Sequence, residues 1–380
     1  MLLPTWQKPK YDDCLWLIRI ICLDIFRNKP VKLLLNILLI CIIFLNIIQT
    51  ILFVQISTRA YLIKYLPLYF STFFILITIY TTPRLADGVV KCLENSDLWP
   101  TNAAGSTIEQ KIKFEVVYFS TFVVLNICLS FISGILHAIP LDGDREIFYT
   151  LATIEDYLPQ WKNVLCFMYR CGFLVLPMVM AAPFYITIYI CSQMRFQAYM
   201  IFHLRELLGQ KLVMNITDDK KYNKIIKKIL VASIQRHSRI LCVSSQILKD
   251  FRPFVFLFSI TGALLMISLI FFMISFEGSF EGRYSRIGTM IVAAALVFIH
   301  VVVNGQMIED ITGRAFDDVL KSVDWSRWNK ENKKIYLILL ANCVKPFRLQ
   351  FSESISLNYS LALAILKSIY SVMSLLWYIK

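Results

Sequence analysis

Apolar residues in this chain come in long unbroken stretches separated by polar, mostly basic, intervals. That alternation predicts seven helices long enough to cross a bilayer. The spans run over Val31–Gln55, Tyr61–Thr82, Phe114–Leu136, Val164–Ser192, Pro253–Phe276, Ile287–Asn304 and Ile355–Ile379. Two further apolar stretches are too short to cross. Leu15–Phe26 is broken by Arg19 and Asp24 and suits an interfacial helix. Ile335–Val344 is about half a span and reads as a buried helix leading into the seventh.

Composition agrees with the pattern. Apolar residues make up 57% of the 380, aromatic residues 14% and charged residues only 17%, far from a soluble globular average. The N-terminus lacks a basic region followed by an apolar core and cleavage site, so no signal peptide is expected. The lipid bilayer is an expected partner of such apolar spans, and no nucleic-acid partner is expected. The ten cysteines form no CxxC pair, and several, such as Cys41, Cys128 and Cys191, sit inside apolar spans as small hydrophobes. The four histidines (His137, His203, His237, His300) are too scattered for a ligand set, so no metal or other cofactor is expected.

Basic residues fix the expected orientation. Thirty of the 39 lie before the first span or in the second–third, fourth–fifth and sixth–seventh intervals, against eight on the other side. The N-terminus is therefore expected in the cytoplasm and, after seven crossings, the C-terminus outside. G-protein-coupled receptors have the opposite orientation, and no Asp-Arg-Tyr type of signature occurs in the second–third interval. Asn215-Ile216-Thr217 and Asn358-Tyr359-Ser360 match glycosylation acceptors but fall where no sugar is added. Within the basic fourth–fifth interval, Ile225, Ile226, Ile229, Leu230 and Ile234 recur at helical spacing, with Lys220, Lys221, Lys224, Lys227 and Lys228 on the other face. Such a helix either rests on anionic headgroups or packs in a cytoplasmic bundle where subunits meet; packing is the favoured reading.

The last span carries the chemistry of a pore. Ser360, Ser371 and Ser374 stand among leucines in a helix that ends the chain, which suits a wet path through lipid. Ser368, Ser371 or Val372, Leu375 and Ile379 recur at three- and four-residue steps and share one face. Leu375 and Ile379 fall within about 10 Å of the outer end, where rings of leucine and isoleucine close a pore by dewetting. The alternative is that they pack against neighbouring helices. Lys367 lies about 20 Å from that end, deep in the membrane. A lysine there costs roughly 2.5–3.5 kcal/mol unless it meets water or a partner. An interfacial ion pair or carbonyl cap fits better than a pore ring, which would oppose cation flow.

These residues carry a family likeness. Asn304-Gly305-Gln306 with Glu309, then Val319-Leu320-Lys321-Ser322-Val323-Asp324-Trp325, then Lys334–Pro346 ending Val344-Lys345-Pro346, follow one another in order. Ser356-Leu357 and Ala364-Ile365-Leu366-Lys367-Ser368-Ile369-Tyr370-Ser371 complete the series. In that order and spacing the sequence resembles the insect odorant receptors. The resemblance implies an all-α, seven-transmembrane subunit of a tetrameric channel in the plasma membrane, opened by a small volatile ligand and passing cations without selectivity. It implies an odour-tuning subunit in a hetero-oligomer with the shared co-receptor, since the co-receptor is longer in its second cytoplasmic loop. The family's gate maps onto Leu375 and Ile379, while Val372 stands where many members carry a tyrosine.

The layout then expected is an N-terminus with its interfacial helix (1–30), helices one to four (31–194), a cytoplasmic extension (195–252), helices five and six (253–304), an anchor segment (305–350) and the pore helix (351–380). The resemblance also implies a pocket in the outward halves of the spans. Candidates are Tyr69, Phe70 and Phe73 on the second; Ser130, Ser133, Gly134 and His137 on the third; Phe167, Met168, Cys171 and Leu174 on the fourth; and Ile287, Met290, Ile291 and Ala294 on the sixth. Ordinary packing accounts for any one of them alone. Asp142, Asp144, Glu146, Glu155 and Asp156 would make the third–fourth outer loop negative and gather cations. A gustatory-receptor-like channel forming homomers is the alternative, but its typical TYxxxxxQF pattern is absent. A secondary transporter would show inverted repeats, and an enzyme a nucleophile–base pair; neither is found.

Overall fold

The computed structural model describes residues 13–56, 58–96, 98–101, 105–141, 143–206, 218–275, 283–321, 325–343, 347–350 and 355–379. Asp142, Asn215-Ile216-Thr217, Ser322-Val323-Asp324 and Val344-Lys345-Pro346 lie outside them. Each predicted span forms a helix. The helices are α1 (Lys29–Ile56), α2 (Arg59–Glu94), α3 (Ser106–Ala138), α4 (Tyr149–Tyr157), α5 (Lys162–Glu206), α6 (Asp219–Ser275), α7 (Arg283–Lys321), α8 (Lys330–Cys343) and α9 (Tyr359–Ile379). Six of them, α1, α2, α3, α5, α6 and α7, are long and apolar enough to cross a membrane. The 21-residue α9 is the seventh apolar helix.

The helices overrun the apolar stretches that announce them. At 1.5 Å per residue the 57 residues of α6 reach about 85 Å, far more than the ~30 Å of a hydrocarbon core. Its first half therefore stands clear of any bilayer. There Tyr222, Ile226 and Leu230, the apolar face of the lysine-rich stretch, pack against Trp328, Tyr336, Leu339 and Cys343, most of them on α8. Trp328 Nε1 donates to the Tyr222 hydroxyl at 3.1 Å, so the small cluster is pinned by a polar bond as well as by burial. Both the basic amphipathic helix and the half-span before α9 thus bury their apolar faces on each other.

Successive long helices alternate in direction, which gives the bundle two ends. The basal end collects the segment before α1, the last turns of α2 and α5 and the first of α3. The apical end holds the connection that contains α4. The segment before α1 consists of Trp16–Arg19, a π-helical turn at Ile20–Asp24, and Ile25–Arg27. Its apolar face is used up on protein: Leu15, Ile18, Cys22, Leu23 and Phe26 are buried, and Trp16 alone of its large hydrophobics is exposed. Arg19, which broke the apolar run in the sequence, sits among Asp13 at 3.6 Å, Asp24 at 3.4 Å and Glu94 of α2 at 3.7 Å. Asp13 accepts from the Tyr189 hydroxyl at 2.6 Å and Gln193 Nε2 at 2.7 Å on α5. Burial pushes its carboxyl above the usual range, with the Tyr189 hydroxyl pulling the other way.

One close approach in the middle of the bundle has a clear cause. Pro177 lies inside α5 and has no N–H to give the carbonyl of Phe173. A Cβ on Gly134 of α3 would stand 2.4 Å from that carbonyl oxygen. Only a glycine lets α3 approach this turn of α5.

Candidate functional site

The expected ligand residues divide into groups. Tyr69 turns toward α1: its hydroxyl is 3.1 Å from Thr50 Oγ1 and its ring 4.8 Å from Phe53. Phe70 and Phe73 stand beside it, with ring centres 5.7 and 5.0 Å away. Ser130, Ser133 and Gly134 are buried on α3, and His137 Nδ1 faces the Ser133 carbonyl oxygen at 2.8 Å. On α5, Phe167 and Met168 are 68% and 64% exposed, whereas Cys171 and Leu174 are half-buried. On α7, Ile287 and Met290 are half-buried and Ile291 and Ala294 exposed. Gly134 belongs to helix packing, as its contact with Phe173 shows.

Between α3 and α7, sequence reasoning missed a polar link. The Tyr185 hydroxyl of α5 donates to Asn126 Oδ1 at 2.5 Å, and Asn126 Nδ2 donates to the Ala293 carbonyl at 3.2 Å. Three helices that carry candidate pocket residues are thereby tied at mid-bundle, one turn from Ser130 and next to Ala294. Asparagine and tyrosine within apolar spans were the available signal.

An apical cavity of about 820 Å³ opens between the end of α3, α4 and the first turns of α5. Phe167, Cys171 and Leu174 line it, together with Leu141, Leu151, Asp144, Glu155, Lys162 and Arg170, which were not expected there. The acidic character expected of this connection is largely cancelled. Asp144 is buried between Arg170 at 2.8 Å and Arg286 of α7 at 2.7 Å. Glu155 meets Lys162 at 3.1 Å, and Asp156 pairs with Arg145. Carboxylates counted along the sequence acquire partners from other helices, so the described ones do not act as a free negative funnel.

In α9, Ser368 and Ser371 are exposed and Val372 is half-buried. The Ser368 hydroxyl donates to the Ala364 carbonyl at 2.9 Å, which satisfies it within the helix. The helix continues through Leu375 and Ile379, whose side chains lie outside the described ones. Lys367 is exposed on the same side as Ser360, Ser371 and Ser374, at helical steps from each.

The start of α9 is gripped by one stretch of α7. Gly305 lies so close to the residue before α9's cap that a Cβ there would be 2.1 Å from the Leu357 carbonyl oxygen. The Tyr359 backbone N–H donates to Gln306 Oε1 at 3.1 Å, and Asn358 Nδ2 to Glu309 Oε2 at 3.1 Å. Thr312 Oγ1 accepts from the Phe347 N–H at 3.0 Å. Immediately before this stretch, Asn304 Oδ1 accepts from Arg195 Nη1 at 3.1 Å. Arg195 is fully buried on α5, pairs with Glu115 of α3 at 2.8 Å, and lies 4.7 Å over the Phe119 ring. Tyr199 donates its hydroxyl proton to the other Glu115 oxygen at 2.6 Å. Helices α3, α5 and α7 therefore meet the root of α9 through two adjoining residues, Asn304 and Gly305.

Among the described residues the architecture is nearly all helical, with six helices long and apolar enough to cross a membrane, a long basal extension and one further apolar helix, α9. No family model and no curated protein matches the sequence. Solved structures share the fold. The insect olfactory receptor OR5 from Machilis hrabei superposes with a TM-score of 0.68 over 97% of each chain at 12% identity. The same receptor in complex with eugenol gives 0.70 over 97% of each chain at 10% identity. The chain thus has the insect olfactory receptor fold along essentially its whole length.

Proposed function

We propose that this chain is the odour-tuning subunit of a ligand-gated cation channel. In this reading four subunits surround one pore, N-termini face the cytoplasm and α9 of each subunit lines the conduit. The assembly stands in the plasma membrane of a sensory neuron, binds a small volatile, and combines this chain with a shared co-receptor. The observation that carries it is the fold shared with an olfactory receptor over 97% of both chains, one of whose structures holds eugenol. Support for α9 as the pore-lining helix comes from its placement, since Gln306 and Glu309 hold its root while its exposed face carries hydroxyls together with Lys367. The basal pairing of α6 with α8 supplies a rigid body suited to an anchor between subunits.

Expression with and without a co-receptor, recording current evoked by a panel of volatiles, tests this function. Current evoked only in the combined cells is the expected result. In those cells Leu375→Ala and Ile379→Ala should raise the resting current, because a shorter side chain widens and wets an apolar constriction. Odour-evoked current untouched by both substitutions would remove the gate from these two positions. Absence of evoked current with every co-receptor combination would remove the function itself.

A further inference from the structure

The wall of the apical cavity holds a guanidinium whose donors exceed what its carboxylate can use. Asp144 is only 3% exposed and is shared by two arginines: Oδ1 accepts from Arg286 Nη1 and Oδ2 from Arg170 Nη1. The Leu141 backbone N–H also donates to Oδ2, at 3.0 Å. Arg286 spends its second Nη on the Ile139 carbonyl and belongs to the wall. Arg170 instead lines the cavity. Nearby, Glu155 and Asp156 are matched by Lys162 and Arg145. Among the described side chains four cations (Arg145, Lys162, Arg170, Arg286) face three carboxylates (Asp144, Glu155, Asp156), and of the two arginines that share Asp144 only Arg170 lines the cavity. The rest of the lining is mostly apolar, with Leu141, Leu151, Phe167 and Leu174 contributing. A volume of about 820 Å³ is ample for a small molecule.

A cation with free planar donors at one end of an apolar slot recognises an anion that carries an apolar tail, because guanidinium and carboxylate match in charge and fork geometry. We propose that this cavity is a binding site for an anionic amphiphile, its carboxylate on Arg170 and an acyl chain against Leu151, Phe167 and Leu174. The proposal deepens the receptor reading and rests on it for its role, since it makes acidic compounds a ligand class for this chain. The site is placed at the apical rim, where α4 meets α5, so its occupant also touches the connection that Asp144 ties to α7. A bilayer lipid with an anionic headgroup offers the same chemistry as a free acid.

Decanoate and decanol, equal in chain length, are the probes, titrated against the full chain in nanodiscs of purely zwitterionic lipid. Decanoate should bind at least about tenfold tighter than decanol, and Arg170→Gln should abolish that difference while leaving decanol binding unchanged. Nanodiscs containing phosphatidylserine separate the sources: loss of decanoate binding there means that lipid occupies the site, and retained binding means that a free acid does. Either result supports an anionic amphiphile. Should Arg170→Gln fail to fold by circular dichroism, Leu174→Trp fills the slot without altering charge and should weaken both probes together. Equal binding of decanoate and decanol, or decanoate binding indifferent to the substitution that folds, overturns the proposal. Decanoate binding without evoked current would leave the site standing and remove only its role in admitting acids as activating ligands, whereas silence to the whole panel of volatiles would sink the receptor reading.

Discussion

Arg195→Leu is expected to destabilise the bundle by about 3–5 kcal/mol, the cost of stranding one member of a buried ion pair. The loss should appear as a collapse in surface expression and detergent-stable protein. Glu115 would keep the Tyr199 hydroxyl but lose its countercharge at 2.8 Å, and Asn304 would lose one donor. Glu115→Gln should also destabilise the bundle, because it leaves the buried Arg195 guanidinium without its countercharge even though an amide oxygen still accepts from it. The double substitution of leucine at both positions removes the charge imbalance and should recover most of the lost stability, as buried pairs replaced by apolar groups commonly do. Thermal unfolding of the purified chain checks the series. A double variant as unstable as Arg195→Leu alone would mean that the pair is not what holds α3 and α5 together here.

The second large effect is expected at Gly305. An alanine there brings a Cβ to 2.1 Å from the Leu357 carbonyl oxygen, a backbone atom that cannot rotate away. Relief requires α7 and the root of α9 to separate, stretching the Tyr359–Gln306 and Asn358–Glu309 bonds. Gly305→Ala should therefore reach the surface yet lose at least about tenfold of its evoked current per surface subunit, or gain a standing leak. Gly172→Ala and Gly288→Ala are the controls, since a Cβ at either meets nothing within 4 Å. Normal evoked current in Gly305→Ala would show that the contact between α7 and α9 plays no part in opening.

The sequence makes the existence and order of the spans legible, because an apolar run of twenty or so residues has few other uses. Helix ends are not legible. α5, α6 and α7 continue well past their apolar parts, since lysine, glutamine and glutamate extend a helix as readily as leucine. The face Ile226 and Leu230 could be read from periodicity, but its partner on α8 lies more than a hundred residues away and leaves no local trace. The same holds for charge. Glu115 and Arg195 stand near the basal limits of their spans and look like ordinary interfacial residues until the fold brings them within 2.8 Å. Asp144 counted as one more negative charge on a loop, whereas it is the buried hinge of two arginines. Nine residues of α4 inside that connection are too few to announce themselves. Nor does a glycine in a sequence reveal which carbonyl it makes room for, as Gly134 and Gly305 do.

Cysteine accessibility along α9 tests most directly whether this helix borders the ion path. Ser371→Cys and Ser374→Cys, on the exposed side of the helix, should each let a charged thiol reagent reduce the evoked current, and only when it is applied together with the volatile. The parent chain with its native cysteines sets the baseline. Modification at the parental rate, at both positions and with the channel open, would place α9 away from the water and contradict the account.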